Sequence, residues 1–251
     1  PTPIQAQSIP PALRGGDVLG SAQTGTGKSA AFAIPTLSRL ISKDQDKSSR
    51  GSHKPRALVL SPTRELASQI QESFAKYGRF TGLRQAAIFG GVNQFHQVKA
   101  LRKGVDIIVA TPGRLMDLMQ QGFVDLTAIE VLILDEADRM LDMGFIDPIR
   151  KIASKVPADR QTLLFSATMP REIERLANSL LANPTRIAVD PVASAAPKID
   201  QSLYFVQRSQ KPALMLHLLN HEEVVRAIVF TRTKRGADKL ARSLERGQVR
   251  C

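Results

Sequence analysis

An α/β fold built on a parallel sheet is predicted by three features of the sequence. Short apolar runs rich in Val, Ile and Leu alternate with helical patterns along most of the chain, which is the order of βαβ units. The 251 residues are 43% hydrophobic and 23% charged, a balance typical of a globular protein with a buried core. Polar and acidic residues follow the apolar runs, where parallel sheets place their ligands.

The charge balance favours a polyanionic partner. Lys and Arg number 35 against 23 Asp and Glu, which gives a net charge of +12 and a pI near 10.3. Such a surplus is typical of proteins that bind nucleic acid, whereas binding to an anionic membrane needs further evidence. The single cysteine, Cys251, excludes an intramolecular disulfide and a cysteine-based zinc site.

The sequence suggests neither a membrane span nor an export signal. No apolar run approaches the roughly 20 residues that a span needs, and the first residues do not resemble a signal peptide. We therefore expect a soluble, cytoplasmic protein. Because the chain starts at Pro1 without a methionine and stops abruptly at Cys251, we also expect it to be a fragment.

Seven strands are predicted in the larger, first part of the chain, with helices between them. Helix Arg64–Tyr77 carries Leu66, Ile70, Phe74 and Tyr77 on one face, a stripe that predicts core packing. A second helix is predicted over 30–40. The strands are predicted at 17–20, 56–60, 84–89, 106–110, 130–134, 162–165 and 186–189.

Two polar stretches interrupt this alternation. Residues 42–55 predict a surface loop, and 190–198, with two prolines, suits a linker. The domains are therefore predicted at 1–195 and 196–251, the second with strands at 203–206 and 226–230 and helices at 212–219 and 235–246. At roughly 30 residues per βαβ unit, a five-stranded lobe needs about 150 residues. We expect the second lobe to be incomplete and its residues 203–251 to be mobile.

A glycine-rich turn follows the first strand and precedes the first long helix. It reads Ala22-Gln23-Thr24-Gly25-Thr26-Gly27-Lys28-Ser29. Backbone N–H groups in such a turn can point at phosphate oxygens, with Lys28 reaching the β and γ phosphates and the Ser29 hydroxyl binding Mg²⁺. The strict phosphate-loop pattern has Gly where this chain has Ala22, and the alternative is a merely flexible loop.

A second cluster comes at the end of the apolar strand 131–134, where Asp135-Glu136-Ala137-Asp138 follow. Asp135 is suited to hold Mg²⁺, and Glu136 to orient or deprotonate an attacking water. The alternative is that Asp135 caps the next helix and Glu136 is solvated.

With both clusters, the sequence resembles the DEAD-box ATP-dependent RNA helicases, whose name residues 135–138 spell. This resemblance implies a RecA-like P-loop NTPase lobe followed by the start of a second RecA-like lobe. Residues 139–145 and 230–234 resemble the bacterial RhlE-like branch. The other matching motifs are Gln5 in Pro1–Gln5, Pro62-Thr63-Arg64 with the following Glu-Leu-Ala, Gly90-Gly91, Thr111-Pro112-Gly113-Arg114, Ser166-Ala167-Thr168 and Val229-Phe230-Thr231.

The resemblance assigns roles to these residues. It implies ATP and Mg²⁺ as cofactors, with Gln5 reading the adenine, residues 22–29 holding the nucleotide, Ser29 and Asp135 holding Mg²⁺ partly through water, and Lys28, Asp135 and Glu136 as the catalytic set. The RNA-binding set is Pro62, Thr63, Arg64, Gly90, Gly91, Thr111, Pro112, Gly113 and Arg114, and Asp138, Ser166 and Thr168 couple the two sites.

The chemistry of the RNA-facing residues agrees with this assignment. Hydroxyls, backbone N–H groups at a helix start and guanidinium groups suit phosphate oxygens, and none of them reads a base. Binding should be independent of sequence and salt-sensitive, with a log-log slope of about −0.7 per phosphate neutralised. For Arg64 and Arg114 the alternative is a surface or packing role. For the hydroxyl pair the alternative is a helix N-cap before Pro170, which Thr168 could serve at the same time as its coupling role.

Two functions from different classes remain open. The first is an ATP-driven RNA helicase that unwinds short duplexes locally. The second is an ATP- or ADP- and RNA-binding module without significant turnover, because the family's arginine fingers, worth roughly 10³ to 10⁵ in rate, come from a motif that these 251 residues do not contain. A DNA-directed ATPase is a more remote third reading.

Overall fold

The computed structural model describes residues 1–23, 25–44, 54–189, 202–221 and 224–249, with residues 43 and 44 described by their backbone alone. The chain divides into two compact units, Pro1–Ser194 and Ala195–Cys251. The predicted domain boundary at 195 and most of the predicted linker and surface loop lie outside the described residues. Among the described residues, no helix is both long and apolar enough to cross a membrane.

The first unit is built on a parallel sheet whose strands, within the described residues, lie in the order β3-β4-β2-β5-β6-β1-β7. The strands are β1 Val18–Ser21, β2 Ala57–Leu60, β3 Gln85–Ile88, β4 Ile107–Ala110, β5 Val131–Leu134, β6 Gln161–Ser166 and β7 Thr185–Ala188. Each lies at a predicted strand position. This sheet confirms the predicted α/β, RecA-like fold class.

Helices connect the strands on both faces of the sheet, as right-handed parallel crossovers require. Those of the first unit are α1 Pro3–Leu13, α2 Lys28–Asp44, α3 Arg64–Tyr77, α4 Phe95–Arg102, α5 Pro112–Gln120, α6 Ala137–Asp142, α7 Ile146–Ala153 and α8 Arg171–Leu180.

Two apolar cores lie on opposite faces of the sheet because successive strand residues point in opposite directions. On β2, Leu58 and Leu60 join one core, and Ala57 and Val59 join the other. The central strand β5 divides in the same way, and all four of its residues are buried. A strand buried on both faces needs a continuous apolar run, which is the pattern that the sequence shows.

The predicted stripe on α3 is only partly right. Ile70 and Phe74 are fully buried, Leu66 packs beside them, and the Phe74 ring lies 6.2 Å from that of Phe32 on α2. Tyr77 is 45% exposed, so its predicted place in the core is wrong. It is the last residue of α3, and the packed stripe ends one turn earlier.

The second unit contains two described helices, α9 Lys211–Leu219 and α10 Lys234–Arg246. The strands predicted at 203–206 and 226–230 are not formed among the described residues. A strand is held by hydrogen bonds to a neighbouring strand, and the apolar side chains that would cover such a sheet, including Phe205 and Phe230, are exposed. The basic side chains of α10 are exposed, and Leu244 is the buried residue of this helix.

Candidate nucleotide and RNA site

The candidate site lies where the strands of the first unit end. In a parallel sheet all carboxyl ends meet at one edge. Apart from Gln5, which lies on α1 before the first strand, every motif singled out in this unit lies at the end of a strand, follows a strand or begins the helix after it. The turn after β1, the acidic residues after β5 and the hydroxyl residues at and after the end of β6 are neighbours, because β5 pairs with β6 and β6 with β1.

The glycine-rich turn has the backbone that its glycines permit. Gly25 and Gly27 have φ angles of +85° and +92°, a region that other residues rarely adopt. The turn leads into α2, whose first residue is Lys28. The Lys28 side chain is 5% exposed, and its Nζ donates to the backbone oxygen of Ala22 at 3.1 Å. Gln23 and Thr26 lie on the same turn, Ser29 is the second residue of α2, and Thr24 lies outside the described residues.

Gln5 joins the helix α1 to this turn. Its Nε2 donates to the backbone oxygen of Gly27 at 3.1 Å, and its Oε1 accepts from the backbone N–H of Thr2 at 3.0 Å. The second bond belongs to the capping box that starts α1. The structure therefore brings the predicted adenine reader and the predicted phosphate loop into direct contact.

Asp135 lies at the centre of the site. Its side chain is 4% exposed, and its Oδ1 lies 3.6 Å from the Lys28 Nζ. Burial raises the pKa of the Asp135 carboxyl to about 6, although the Lys28 charge lowers it and the Glu136 charge raises it further. One ammonium therefore does not fully compensate this buried carboxylate.

Glu136 is buried too, which disagrees with the alternative of a solvated side chain. It is 6% exposed and takes a left-handed backbone with φ 54° and ψ 54°. Its N–H donates to the Asp135 Oδ1 at 3.1 Å, and its Oε2 lies 3.2 Å from the Nη1 of Arg139. A non-glycine residue in this conformation costs of order 1–3 kcal/mol and persists only where its surroundings fix it.

The predicted coupling residues form one hydrogen-bonded group. The Asp138 N–H donates to the Ser166 Oγ at 3.0 Å, and the Thr168 N–H and hydroxyl both donate to the Asp138 Oδ2, at 2.8 and 2.9 Å. Burial raises the pKa of Asp138, but its hydrogen bonds with Thr168, Ser166 and the Arg139 N–H together outweigh this effect and hold the pKa below its usual value. The Thr168 side chain bonds Asp138, and the residue preceding α8 is Pro170, so its alternative role as a helix cap is wrong.

Part of the RNA-facing set lies between β2 and the loop after β3. Pro62 is buried, and the Thr63 Oγ1 accepts from the Leu66 N–H at 3.3 Å and so caps α3. Arg64 follows at the exposed start of the helix. Gly91 has a φ of +78°, and a Cβ there would lie 2.7 Å from the Arg64 Nη1, so the guanidinium lies close to the Gly91 backbone.

The remaining RNA-facing residues begin α5. Thr111 precedes the helix without a side-chain cap, and Pro112 is its first residue. Gly113 faces open space, since a Cβ there would meet no atom within 4 Å. Both Nη atoms of Arg114 lie 3.4 Å from the backbone oxygen of Val92, next to Gly91. The structure thus brings both arginines to the Gly90-Gly91 loop.

Arg139 and Glu65 lie within segments that carry the resemblance, but the sequence alone gives neither a role in the site. The signal that could have identified Arg139 is its spacing of three from Glu136, which places the two side chains on one helical face. Among the described residues, no group of three or more His, Cys, Asp or Glu could hold a metal ion by itself.

A RecA-like sheet whose neighbouring strand ends carry a glycine-rich turn and a buried acidic pair is typical of nucleotide-binding helicase domains. Residues 2–176 match the family described as DEAD/DEAH box helicase. The chain belongs to this family, as its motifs predict.

Two relatives from different organisms are similar to this chain over almost its whole length. The chain is 45% identical to the ATP-dependent RNA helicase RhlB of Xanthomonas oryzae over 248 residues, which are 98% of this chain and 43% of that protein. It is 44% identical to the DEAD-box ATP-dependent RNA helicase CshA of Streptococcus pneumoniae, over 97% of this chain and 45% of that protein. The chain therefore spans less than half the length of these relatives. Because they are named RhlB and CshA, the RhlE-like placement stays a prediction.

A solved structure supports the fold. The crystal structure of a hypothetical ATP-dependent RNA helicase from Sulfolobus tokodaii superposes with a TM-score of 0.66 and 39% sequence identity, covering 75% of this chain and 52% of that one.

Proposed function

We propose that this chain is the nucleotide-binding and RNA-contacting part of an ATP-dependent RNA helicase. The observation that carries the proposal is the buried pair of Lys28 and Asp135, 3.6 Å apart, at the start of α2 and the end of β5. Two buried opposite charges at the edge where parallel strands end are costly to a fold unless they serve a ligand or a network.

The residues present fit a nucleoside triphosphate with Mg²⁺. Asp135 is a buried carboxylate whose raised pKa shows that Lys28 alone does not compensate its charge, and a divalent cation held by Asp135 and the Ser29 hydroxyl would supply the missing positive charge. Gly25 and Gly27 leave room for the backbone to approach phosphate oxygens. Bound Mg²⁺ would neutralise phosphate charge, as in other phosphate-loop enzymes.

Each side chain then has a definable task. Lys28 moves from the Ala22 oxygen to the β and γ phosphates, and Gln5, already bonded to Gly27, presents the rest of its amide to the adenine. Glu136 orients or deprotonates the attacking water. The bonds from Thr168 to Asp138 transmit a change at the nucleotide to the end of β6.

RNA binds along the edge formed by three segments: Pro62-Thr63-Arg64, Gly90-Gly91 and Thr111-Pro112-Gly113-Arg114. Arg64 and Arg114 both approach the glycine loop, so a phosphate there would meet two guanidinium groups and open backbone. Contacts of this kind hold the backbone without reading bases. Local duplex unwinding and a cytoplasmic location belong to the proposal and rest on the family.

The experiment that tests the proposal combines fluorescent-ADP binding with steady-state ATP turnover, with and without single-stranded RNA. We expect Lys28→Ala to lose nucleotide binding, because the ammonium that compensates the phosphates is removed. Lys151→Ala, which changes an exposed lysine on α7, should leave binding unchanged.

The outcomes separate the candidate functions. RNA-stimulated turnover that Lys28→Ala abolishes supports helicase-type ATP hydrolysis by this chain. Binding without turnover supports the alternative, a nucleotide- and RNA-binding module. Equal nucleotide binding by the wild-type chain and by Lys28→Ala would refute the proposed site.

A further inference from the structure

Phe95 is an exposed aromatic residue that follows the Gly90-Gly91 loop. It is the first residue of α4, and it is 61% exposed. Val98 and Leu101, further along the same helix, pack against an apolar core, whereas Phe95 belongs to neither of the two cores. The ring therefore adds little to the packing of the first unit and leaves an apolar surface in contact with solvent.

The chain topology places this ring at the edge of the sheet where the candidate site lies. β3 ends just before the Gly90-Gly91 loop, and α4 begins just after it. Among the described residues of the first unit, the other exposed Phe and Tyr side chains are those of Tyr77 and Phe80. These two follow α3 to the opposite edge, because α3 begins after the carboxyl end of β2 and leads back to the start of the parallel strand β3.

Hydrogen bonds hold the segment around Phe95 in place on two sides. The Gln97 side chain, on a residue that is 7% exposed, donates from its Nε2 to the Phe89 backbone oxygen at 2.9 Å. The Gln94 and Gln121 side chains exchange two hydrogen bonds, at 3.0 and 3.3 Å. The ring therefore stands on a segment that is anchored both to the end of β3 and to the end of α5.

The ring itself is restrained and still accessible. The centroids of the Phe95 and His96 rings lie 5.5 Å apart with an angle of 80° between the ring planes. A T-shaped contact of this kind covers at most one face of the Phe95 ring. The Phe95 N–H also donates to the Asn93 Oδ1 at 2.9 Å, which fixes the backbone at this point. His96 thus leaves at least one ring face uncovered, and an ordered ring loses little freedom when a ligand binds it.

An RNA phosphate at the glycine loop would lie close enough for its strand to reach this ring. The Arg64 Nη1 lies near the Gly91 backbone, and both Nη atoms of Arg114 lie 3.4 Å from the Val92 oxygen. Four Cα–Cα steps separate Gly91 from Phe95, so these two Cα atoms are at most about 15 Å apart. A strand held by the two guanidinium groups can therefore bring a base to the ring within a few nucleotides.

The surroundings of the ring suit a polyanion better than a protein. Residues 84–105 contain four basic residues and no Asp or Glu. In this segment Phe95 and Val92 are the exposed large apolar residues. Two side chains are far too small an apolar surface for a stable protein interface, which needs roughly 800 Å² on each partner. A single aromatic ring matches the size of one nucleic-acid base.

We propose that the uncovered face of the Phe95 ring is a stacking site for one base of the RNA strand whose phosphate lies beside Gly91. This inference rests on the proposed function and adds to it a contact with a base, where the other RNA-facing residues hold the backbone. Every base has a π face, so stacking tolerates all sequences, and differences in stacking strength give a modest preference. Purine-rich strands, whose bases have the larger π face, should therefore bind more tightly than pyrimidine-rich strands.

The first test uses the absence of tryptophan from the sequence. Phe95→Trp introduces a single fluorescent side chain at the proposed site of the full chain. We expect decaadenylate to quench this fluorescence, because a stacked base quenches indole emission. An abasic phosphodiester strand of the same length and charge should leave the fluorescence unchanged. The matched control is Phe80→Trp, at a position that is 87% exposed on the opposite edge, and it should respond to neither strand.

The second test measures affinity by fluorescence anisotropy with the same two strands, labelled at one end. Phe95→Ala should weaken the binding of decaadenylate about tenfold, the loss of one stacked base, and should leave the binding of the abasic strand unchanged. Phe95→Tyr keeps an aromatic ring and should retain the wild-type affinity for both strands. Phe80→Ala, the matched control, should change neither affinity.

Three results would overturn the inference, and they differ. Equal weakening for both strands in Phe95→Ala would show that the ring shapes the loop and stacks no base. Unchanged binding of both strands by Phe95→Ala, while Arg114→Ala weakens both, would remove the stacking site and leave the proposed RNA site standing. Failure of the wild-type chain to bind either strand would refute the RNA site, and the inference would fall with it.

Discussion

Gly25 and Gly27 have the same left-handed backbone but different surroundings. A Cβ at Gly25 would meet no atom within 4 Å, whereas one at Gly27 would lie 2.5 Å from the Gln5 Nε2 and 3.1 Å from the Thr2 Oγ1. Gly27 is therefore needed both for its backbone angle and for the approach of α1. Substitutions at these two glycines can therefore separate the effect of backbone strain from the effect of the Gln5 contact.

Alanine at each position tests this difference. We expect Gly25→Ala to lower the free energy of unfolding by about 1 kcal/mol, the cost of a left-handed non-glycine residue. Gly27→Ala should lose more and should also weaken fluorescent-ADP binding more, because Gln5 is displaced. Thermal unfolding and the binding titration measure the two effects, and equal losses in both variants would contradict a role for the Gln5 contact.

Asp135 carries a pH dependence whose sign follows from burial. Its pKa is about 6 in the folded chain against a usual value of 3.8. The folded carboxyl therefore holds its proton more tightly than the unfolded one, so this group's contribution to stability falls as pH rises from about 4 to about 6 and stays low above that range. Asp135 therefore lowers the free energy of unfolding most at a pH where its carboxylate is charged in the folded chain.

Asp135→Asn should therefore stabilise the nucleotide-free chain at about pH 8, by about 1 to 3 kcal/mol, since each pKa unit corresponds to about 1.4 kcal/mol. The gain should vanish below about pH 4, where both states hold the proton. Urea unfolding at the two pH values measures it. A loss of stability of the same size at both would contradict this prediction, because an effect that does not depend on pH cannot arise from the charge of the carboxylate.

At the scale of elements, Asp17 joins parts of the first unit that are far apart in sequence. Its Oδ1 accepts from the Thr162 N–H at 2.7 Å and its Oδ2 from the Ala182 N–H at 2.6 Å. Beside it, the Gln161 Nε2 donates to the backbone oxygens of Ala12 and Gly16. The end of α1, the start of β6 and the segment before β7 thus meet where the strands begin, at the edge of the sheet opposite the candidate site.

Replacing Asp17 tests how much this junction contributes. Asp17→Ala leaves two backbone N–H groups without their acceptors, and we expect a loss of about 3 kcal/mol in the free energy of unfolding. Asp17→Asn, which keeps one acceptor, should lose less. Chemical denaturation measures both, with Asp147→Ala at an exposed position as the control. Losses equal to that of the control would mean that water replaces the carboxylate.

Elements with a strong local signal were predictable. The strand β5 is a continuous apolar run, and the glycine-rich turn carries its own backbone requirement, so their positions follow from residue chemistry. Pairings between distant segments carried no such signal. Nothing in the local sequence tells that Asp17 bonds Ala182 or that Arg64 lies on Gly91, because these contacts depend on how distant segments are brought together.

The two strands predicted in the second unit were wrong because strands depend on distant partners. Residues 203–206 and 226–230 have the apolar, β-branched and aromatic composition of strands, yet a strand forms only against a partner that supplies its hydrogen bonds. The helices of this unit, α9 and α10, satisfy their backbone groups internally, and α10 also has the Thr233 Oγ1 accepting from the Gly236 N–H. Local helices were therefore predicted better than strands.

At the scale of the whole molecule, the positive charge is not concentrated in one motif. The net charge of +12 is spread over surface arginines and lysines, while Arg64 and Arg114 hold the positions beside Gly91. Long-range electrostatic attraction draws a polyanion to the protein, and a few side chains at fixed positions bind it. RNA binding should therefore weaken steeply with salt even where those placed contacts are intact.

Stability should be distributed unevenly between the central sheet of the first unit and the extended segments of the second unit. The backbone groups of β5, Val131–Leu134, are paired on both sides, with β2 and β6, and all four residues are buried. Residues 203–206 and 226–230 have no such ladder among the described residues, and Phe205 and Phe230 are each 91% exposed. Local opening is easiest where buried apolar contacts are few.

Hydrogen exchange followed by mass spectrometry measures this difference. We expect residues 203–206 and 226–230 to exchange fast, α10 to show intermediate protection from its helical hydrogen bonds, and β5 to exchange slowest. The internal comparison with α10 separates the lack of strand pairing from a general loosening of the second unit. Protection of residues 226–230 equal to that of β5 would contradict the prediction, because it would require a strand partner that pairs with this segment in solution.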